Sequence, residues 1–315
     1  MKWVYTSQRK EYANALVEIG KVRTDVVVLD ADLSSSTRTV EFAKKFPERF
    51  FNVGIAEQNL MGTAAGLAVS GKTVFASTFA VFATGRCWDQ IRQSIAYPNL
   101  DVKIVATHAG ITVGGDGASH QALEDIALMR TLPNMCVLVP ADGLEAYKAV
   151  KAASEHRGPC YVRLGRADVP MVTSMDSSFT IGQATVLKEG TDVTLVGCGQ
   201  MVALCMDAAE ELHRSGISAE VVNMSTVKPL DEHTLLRSAR KTGCMVTAEE
   251  HSVKSGMGSA VCSVLAENHP VPVRMVGTPD CFGESGESCE LMGRYGLSAE
   301  HIVASAEEVI GRKRK

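Results

Sequence analysis

The 315-residue chain contains no run approaching the roughly 18 unbroken apolar residues of a membrane span, and its first residues, MKWVYTSQRKEY, lack the apolar centre of a signal peptide. Neither membrane insertion nor export is therefore expected. Cysteine occurs nine times, an odd number, and never as a C-x-x-C pair. Cys136, Cys160, Cys244 and Cys262 lie in apolar runs, where free thiols behave as small buried hydrophobes, so a reduced, cytoplasmic setting is expected. A net charge of −4 leaves no general basic surface for nucleic acid, and the closing RKRK at 312–315 reads as a solvated tail. No repeat of about 20 to 50 residues is visible, which sets solenoids and propellers aside.

What is present is ordinary globular composition, 45% hydrophobic and 22% charged, in a chain long enough for two domains. Helical and strand periods alternate from residue 11. Helices are expected at 11–20, 39–46, from 56, and at 80–94, 121–131 and 143–154. Strands are expected at 25–29, 51–53, 73–76, 102–107, 137–140 and 160–164. The continuous apolar run DVVVL at 25–29 suits a strand covered on both faces. Residues 168–190 lose this order, and a second α/β unit follows, with strands at 192–196, 218–224, 245–248 and 271–276 and a last helix at 298–310. The fold class is therefore α/β with two domains, each a mostly parallel sheet flanked by helices. They are assigned to residues 1–170 and 191–315, joined by a linker at 171–190.

The stretch FNVGIAEQNLMGTAAG places one acid, Glu57, in the first turn of a helix whose next residues are small. Taken alone, the window favours an acid that complements the helix dipole. The alternative is a carboxyl group on a poorly hydrated contact surface, ready to share a proton with a ligand. THAGITVGGDGASHQ at 107–121 follows a strand and carries His108, Asp116 and His120 among four glycines. It is compatible with a solvated loop, with a two-histidine, one-carboxylate metal site, or with recognition of a hydroxylated anionic substrate. GCGQMV at 197–202 lacks the last glycine of a dinucleotide fingerprint and reads as a close-packed turn. Glu249, Glu250 and His251 fit a solvated loop as well as catalysis. Arg9, Ser36 and Arg166 matter in combination, because guanidinium forks and hydroxyls converging with His108 suffice to hold a phosphate ester.

Together, VGIAEQNLMG with Glu57, STFAVF with Phe79 and Phe82, THAG and GGDGASHQ, PNM at 133–135, and RLGR ending at Arg166 resemble transketolase, in particular its carboxyl-terminal half, which some organisms make as a separate subunit. The resemblance implies a pyrimidine-binding domain, a transketolase C-terminal domain, and thiamine diphosphate as cofactor. It implies that Glu57 bonds the aminopyrimidine ring, that Phe79 and Phe82 pack on it, and that His120 has a catalytic as well as a sugar-binding role. Asp116 would bond sugar hydroxyls with His120, while Arg9, Ser36, His108 and Arg166 hold the distal phosphate of a sugar phosphate.

In this family the diphosphate and its Mg2+ or Ca2+ are held by a G-D-G motif with a later asparagine, in a preceding domain. Residues 115–117 are a different element. The resemblance thus implies an N-terminal partner subunit, no metal ligand on this chain, self-association, and an α2β2 assembly. Deoxyxylulose phosphate synthase shares the Glu57 and D-G-x-x-H features but has arginine in place of His108. The beta subunit of 2-oxo acid dehydrogenases matches in length but lacks GGDGASHQ. A non-catalytic regulatory subunit and a metal hydrolase using His108, Asp116 and His120 are the alternatives from other classes.

Overall fold

The computed structural model describes residues 2–313, so of the RKRK close only residues 314 and 315 fall outside it. In chain order the first half contains β1 (Tyr5–Thr6), β2 (Val26–Asp30), β3 (Phe50–Asn52), β4 (Thr73–Phe79), β5 (Val102–Thr107), β6 (Cys136–Leu138), β7 (Cys160–Arg163) and β8 (Val169–Pro170). The second half contains β9 (Thr185–Lys188), β10 (Val193–Gly197), β11 (Ala219–Asn223), β12 (Thr226–Lys228), β13 (Met245–Ser252) and β14 (Val273–Thr278).

The first sheet has the order β12-β6-β7-β5-β4-β2-β3, parallel throughout except at β12. Helices cover both faces, so β2, β4 and β5 are buried along their whole length. Even Lys103 on β5 is enclosed, its ammonium donating to the carbonyls of His156 (2.5 Å) and Gly158 (2.7 Å) and pairing with Asp101. The second sheet runs β14-β13-β10-β11-β9, with only β9 antiparallel. The two-domain α/β reading therefore stands.

Several expectations need adjustment. β9 lies inside the stretch read as a linker at 171–190, because its Thr185 to Lys188 pair with β11. β12 crosses over to cap the first sheet, so the two halves share one sheet edge. The helix expected at 121–131 begins only at Asp125, because Gly110 donates to the Ala122 carbonyl (2.9 Å) and ties the preceding residues to the glycine-rich loop. The helix expected at 80–94 continues to Ala96 but contains π-helical turns at Phe82–Arg86 and Ile91–Ala96. Cys262 is only partly buried, whereas Cys136, Cys160 and Cys244 are enclosed, and all nine cysteines are free. No helix among the described residues is long and apolar enough to cross a membrane.

Glu249, Glu250 and His251 close β13 as expected but are buried rather than solvated. Glu249 accepts from the Met257 (2.7 Å) and Gly258 (2.8 Å) amides at the start of the helix Met257–Asn268, while Glu250 reaches into the first domain. Arg163, at the end of β7, crosses the same boundary. It binds the buried Asp125 carboxylate (2.7 Å) and the Glu250 carbonyl (2.8 Å), so neither charge is left unpaired in the interior.

Candidate active site

Parallel α/β sheets present ligands at the carboxyl ends of their strands, and the singled-out residues gather there. Phe79 ends β4, His108 follows β5, Arg166 follows β7, and the loop bearing Ser36 follows β2. That loop is shaped by buried Asp30, which accepts from the Leu33 amide (2.6 Å), the Thr37 hydroxyl (2.7 Å) and the Thr39 hydroxyl (2.8 Å). The three bonds wind Ser34–Thr37 into one helical turn.

Glu57 opens the helix Glu57–Val69 and is 4% exposed. Its Oε2 accepts from Arg86 Nη1 at 2.8 Å, and the same guanidinium lies 4.6 Å from the centre of the Phe82 ring. The apolar surroundings expected for Glu57 thus include a cation that sequence reasoning missed. The signal was the four-residue spacing of Phe82 and Arg86, which puts an aromatic and a cation on one helical face.

An aromatic column continues from there. Phe79 stacks on Phe82 (6.0 Å between ring centres) and on His108 (3.7 Å), and His120 sets its edge against Phe82 at 5.3 Å. Thr107 Oγ1 lies 2.9 Å from His108 Nδ1. Burial, reinforced by the charges of Arg9, Arg166 and His120, pushes the His108 imidazole down to about 3. His108 is therefore expected to stay neutral from about pH 5 to pH 8, with no titration of its ring signals by NMR. A midpoint near 6.5, the ordinary histidine value, would contradict the burial. Because the unfolded imidazole protonates near 6.5, the stability that neutral His108 contributes is present above that pH and is lost as pH falls toward 3.

Beyond His108 the guanidinium groups of Arg9 and Arg166 come together, with the acids Asp116 and Glu287 on the same cavity. Arg9 donates to the Ser36 carbonyl (2.9 Å) and the Arg166 carbonyl (2.8 Å), and its buried Nε has no partner. Burial and the nearby Arg38 and Arg166 hold its guanidinium below the ordinary arginine value. Arg166 donates to the Val113 carbonyl (2.5 Å) and lies 3.8 Å from Asp116. Arg9, Val113, Gly114, Asp116, Arg166 and Glu287 help line a cavity of about 380 Å³, within the range of small-ligand sites. A partnerless buried donor among arginines is suited to an oxyanion. His108, Asp116 and His120 do not gather as a metal triad, and no group of three His, Cys, Asp or Glu among the described residues could hold a metal ion. Ser36 meets Arg9 through its carbonyl, and no bond from its hydroxyl shapes the cluster.

Residues 5–171 match the transketolase pyrimidine-binding domain and residues 182–302 the transketolase C-terminal domain. The chain belongs to the transketolase family. Among solved structures it resembles a split-gene transketolase in an inactive beta4 tetramer, with 56% identity, a TM-score of 0.93, and coverage of 98% of this chain and 100% of the other. A relative from Methanocaldococcus jannaschii, provisionally named a transketolase C-terminal section, is 49% identical over 95% of each chain. The 6-deoxy-6-sulfo-D-fructose transketolase subunit of a Clostridium species is 45% identical over 97% of this chain and 95% of its own. Transketolases depend on thiamine diphosphate, and the residues present fit its aminopyrimidine ring. A buried carboxylate beside stacked phenylalanines offers one proton-sharing group and one flat apolar wall.

Proposed function

We propose that this chain is the carboxyl-terminal subunit of a thiamine diphosphate-dependent transketolase, moving a two-carbon ketol unit from a ketose phosphate to an aldose phosphate. The observation that carries the proposal is the layout of one continuous strip. Glu57 and the phenylalanines lie at one end, the Arg9 and Arg166 cluster at the other, and His108 and His120 between them. The strip has an end suited to a planar nitrogen ring and an end suited to an anion, with bonding groups between for sugar hydroxyls.

The cofactor, when bound, supplies the nucleophilic carbon that holds the two-carbon unit during transfer. Glu57 shares a proton with the aminopyrimidine nitrogen, Phe79 and Phe82 wall the ring, His120 and Asp116 bond the sugar hydroxyls, and His120 moves a proton there. Arg9 and Arg166, with Ser36 and neutral His108 beside them, hold the distal phosphate. The diphosphate and its divalent metal belong to an N-terminal partner subunit, consistent with a similar split-gene protein being an inactive tetramer of one subunit type. The exposed face of the helix that Glu57 opens suits that contact. Ile55 just before the helix and Val69 at its end are exposed, and a Cβ added at Gly62 or Gly66 would meet nothing within 4 Å, so another chain can approach closely. Residues 1–170 would form the catalytic face, with 171–190 leading to the second domain at 191–315. Nine free cysteines suit work in the reducing cytoplasm.

An arginine cluster accepts any tetrahedral oxyanion, so the test compares donors. With the N-terminal subunit and thiamine diphosphate, the chain should transfer a ketol unit from xylulose 5-phosphate to ribose 5-phosphate. Transfer from 6-deoxy-6-sulfofructose alone would move the assignment to a sulfonated donor. No transfer from either would overturn the reading.

A further inference from the structure

The glycine-rich turn Ile111–Asp116 is a first-domain element, yet three of the five side-chain bonds to its backbone come from the second domain. Glu250 Oε1 accepts both the Thr112 amide and the Thr112 hydroxyl at 2.8 Å. Gln200 donates to Glu250 Oε2 at 2.5 Å and to the Thr112 hydroxyl at 3.2 Å. On the other side of the turn, Ser288 donates to the Thr112 carbonyl (2.9 Å) and Ser285 to the Gly115 carbonyl (2.7 Å). Gln121 bridges the Ile111 carbonyl (3.2 Å) to the Glu284 carbonyl (2.8 Å). Gly110 has φ 83°, and a Cβ there would stand 2.2 Å from the Glu250 carboxyl, so glycine is required both by the backbone and by the closeness of that acid.

We propose that Glu250 is a positioning residue for ketol transfer, fixing from the second domain the turn that presents Asp116 and leads into His120. The inference rests on the transfer reading above. It gives the second domain a part in the reaction, since a run with four glycines between 110 and 117 has little intrinsic reason to hold one conformation. The buried carboxylate accepts from three donors, and without it the Thr112 amide would be left unpaired in the interior, a cost that favours the clamped turn.

The test uses the complex with its partner subunit and compares Glu250→Ala, Glu250→Gln and, as control, Glu249→Gln. Glu249 is also buried on the same strand, but its hydrogen bonds go to the helix start at Met257 and Gly258 and its Oε2 lies 3.9 Å from His251 Nδ1, with no contact to the turn. Glu250→Ala should lower kcat/KM about tenfold, mainly through KM, as expected for misplaced binding groups. Hydrogen exchange at 111–117 should accelerate in the same variant. Glu250→Gln keeps an acceptor for Thr112 and should recover to within about threefold of the parent. Glu249→Gln should lower thermal stability without moving KM. The proposal is overturned if Glu250→Ala matches the parent in KM and exchange, or if Glu249→Gln shifts KM as much. Should Glu250→Ala not fold, Ser288→Ala removes the opposing bond and must accelerate the same exchange. If the parent complex shows no transfer, the functional reading fails, and exchange at 111–117 still decides the clamp.

Discussion

Glu57→Gln should reduce ketol transfer by the reconstituted complex about 10²- to 10⁴-fold, the usual worth of a positioned proton-sharing group. Glutamine preserves the shape of the side chain and can still accept from Arg86, whose Nη1 lies 2.8 Å from Oε2. The charge, and with it the ability to take and return a proton, is what disappears. Stability should change little, because Arg86 is about half exposed and stays hydrated without an ionic partner, while glutamine removes the cost of keeping a charge at the buried Glu57 position. Steady-state rates measured alongside sedimentation of the complex separate the two effects. Normal turnover in an intact complex would remove Glu57 from the proposed chemistry, whereas loss of assembly would make it an interface acid.

Arg166→Ala should raise KM for a phosphorylated donor about 10- to 100-fold, since a charge-assisted bond to an oxyanion is worth about 1.5–3 kcal/mol. A non-phosphorylated ketose should lose far less. This comparison is needed because Arg166 has a second duty: it donates to the Val113 carbonyl and sits near Asp116, so its removal also loosens the glycine-rich turn. Loosening penalises both donors alike, and loss of the phosphate contact penalises only one. Equal losses would place the phosphate elsewhere, and Arg9, with its partnerless buried Nε, would be the next position to replace.

Much of this site was legible because the residue types are unusual where they stand. Glu57 is an acid among small and apolar neighbours, and His108, Asp116 and His120 are the strongly functional groups in a glycine-rich loop directly after a strand. Such positions are costly unless a tertiary contact or a ligand uses them. Arg86 was less legible, because its meeting with Glu57 requires two helices 29 residues apart to pack together. The acidic end of β13 was hard to place from sequence for a related reason. Nothing near Glu249 and Glu250 in the chain shows that one acid caps a helix and the other crosses to Thr112, 138 residues away. The late start of the helix at Asp125 has the same origin, since the bond between Gly110 and Ala122 overrides local helical preference.

By itself, then, the sequence determined the alternation of strands and helices, the parallel and doubly covered sheets, and the kinds of side chain available for chemistry. These follow from periodicity and from the burial of apolar runs, which neighbouring residues express without help from the rest of the fold. Only the tertiary structure decided which of those side chains meet. It buried His108 near Arg9 and Arg166, which lowers its pKa, left Arg9 with an unpaired donor, set Arg86 on Glu57, and closed the second domain over the glycine-rich turn. Each of these depends on distances across the sheet or across the domain boundary, where desolvation and hydrogen-bond geometry are set by residues remote in the chain.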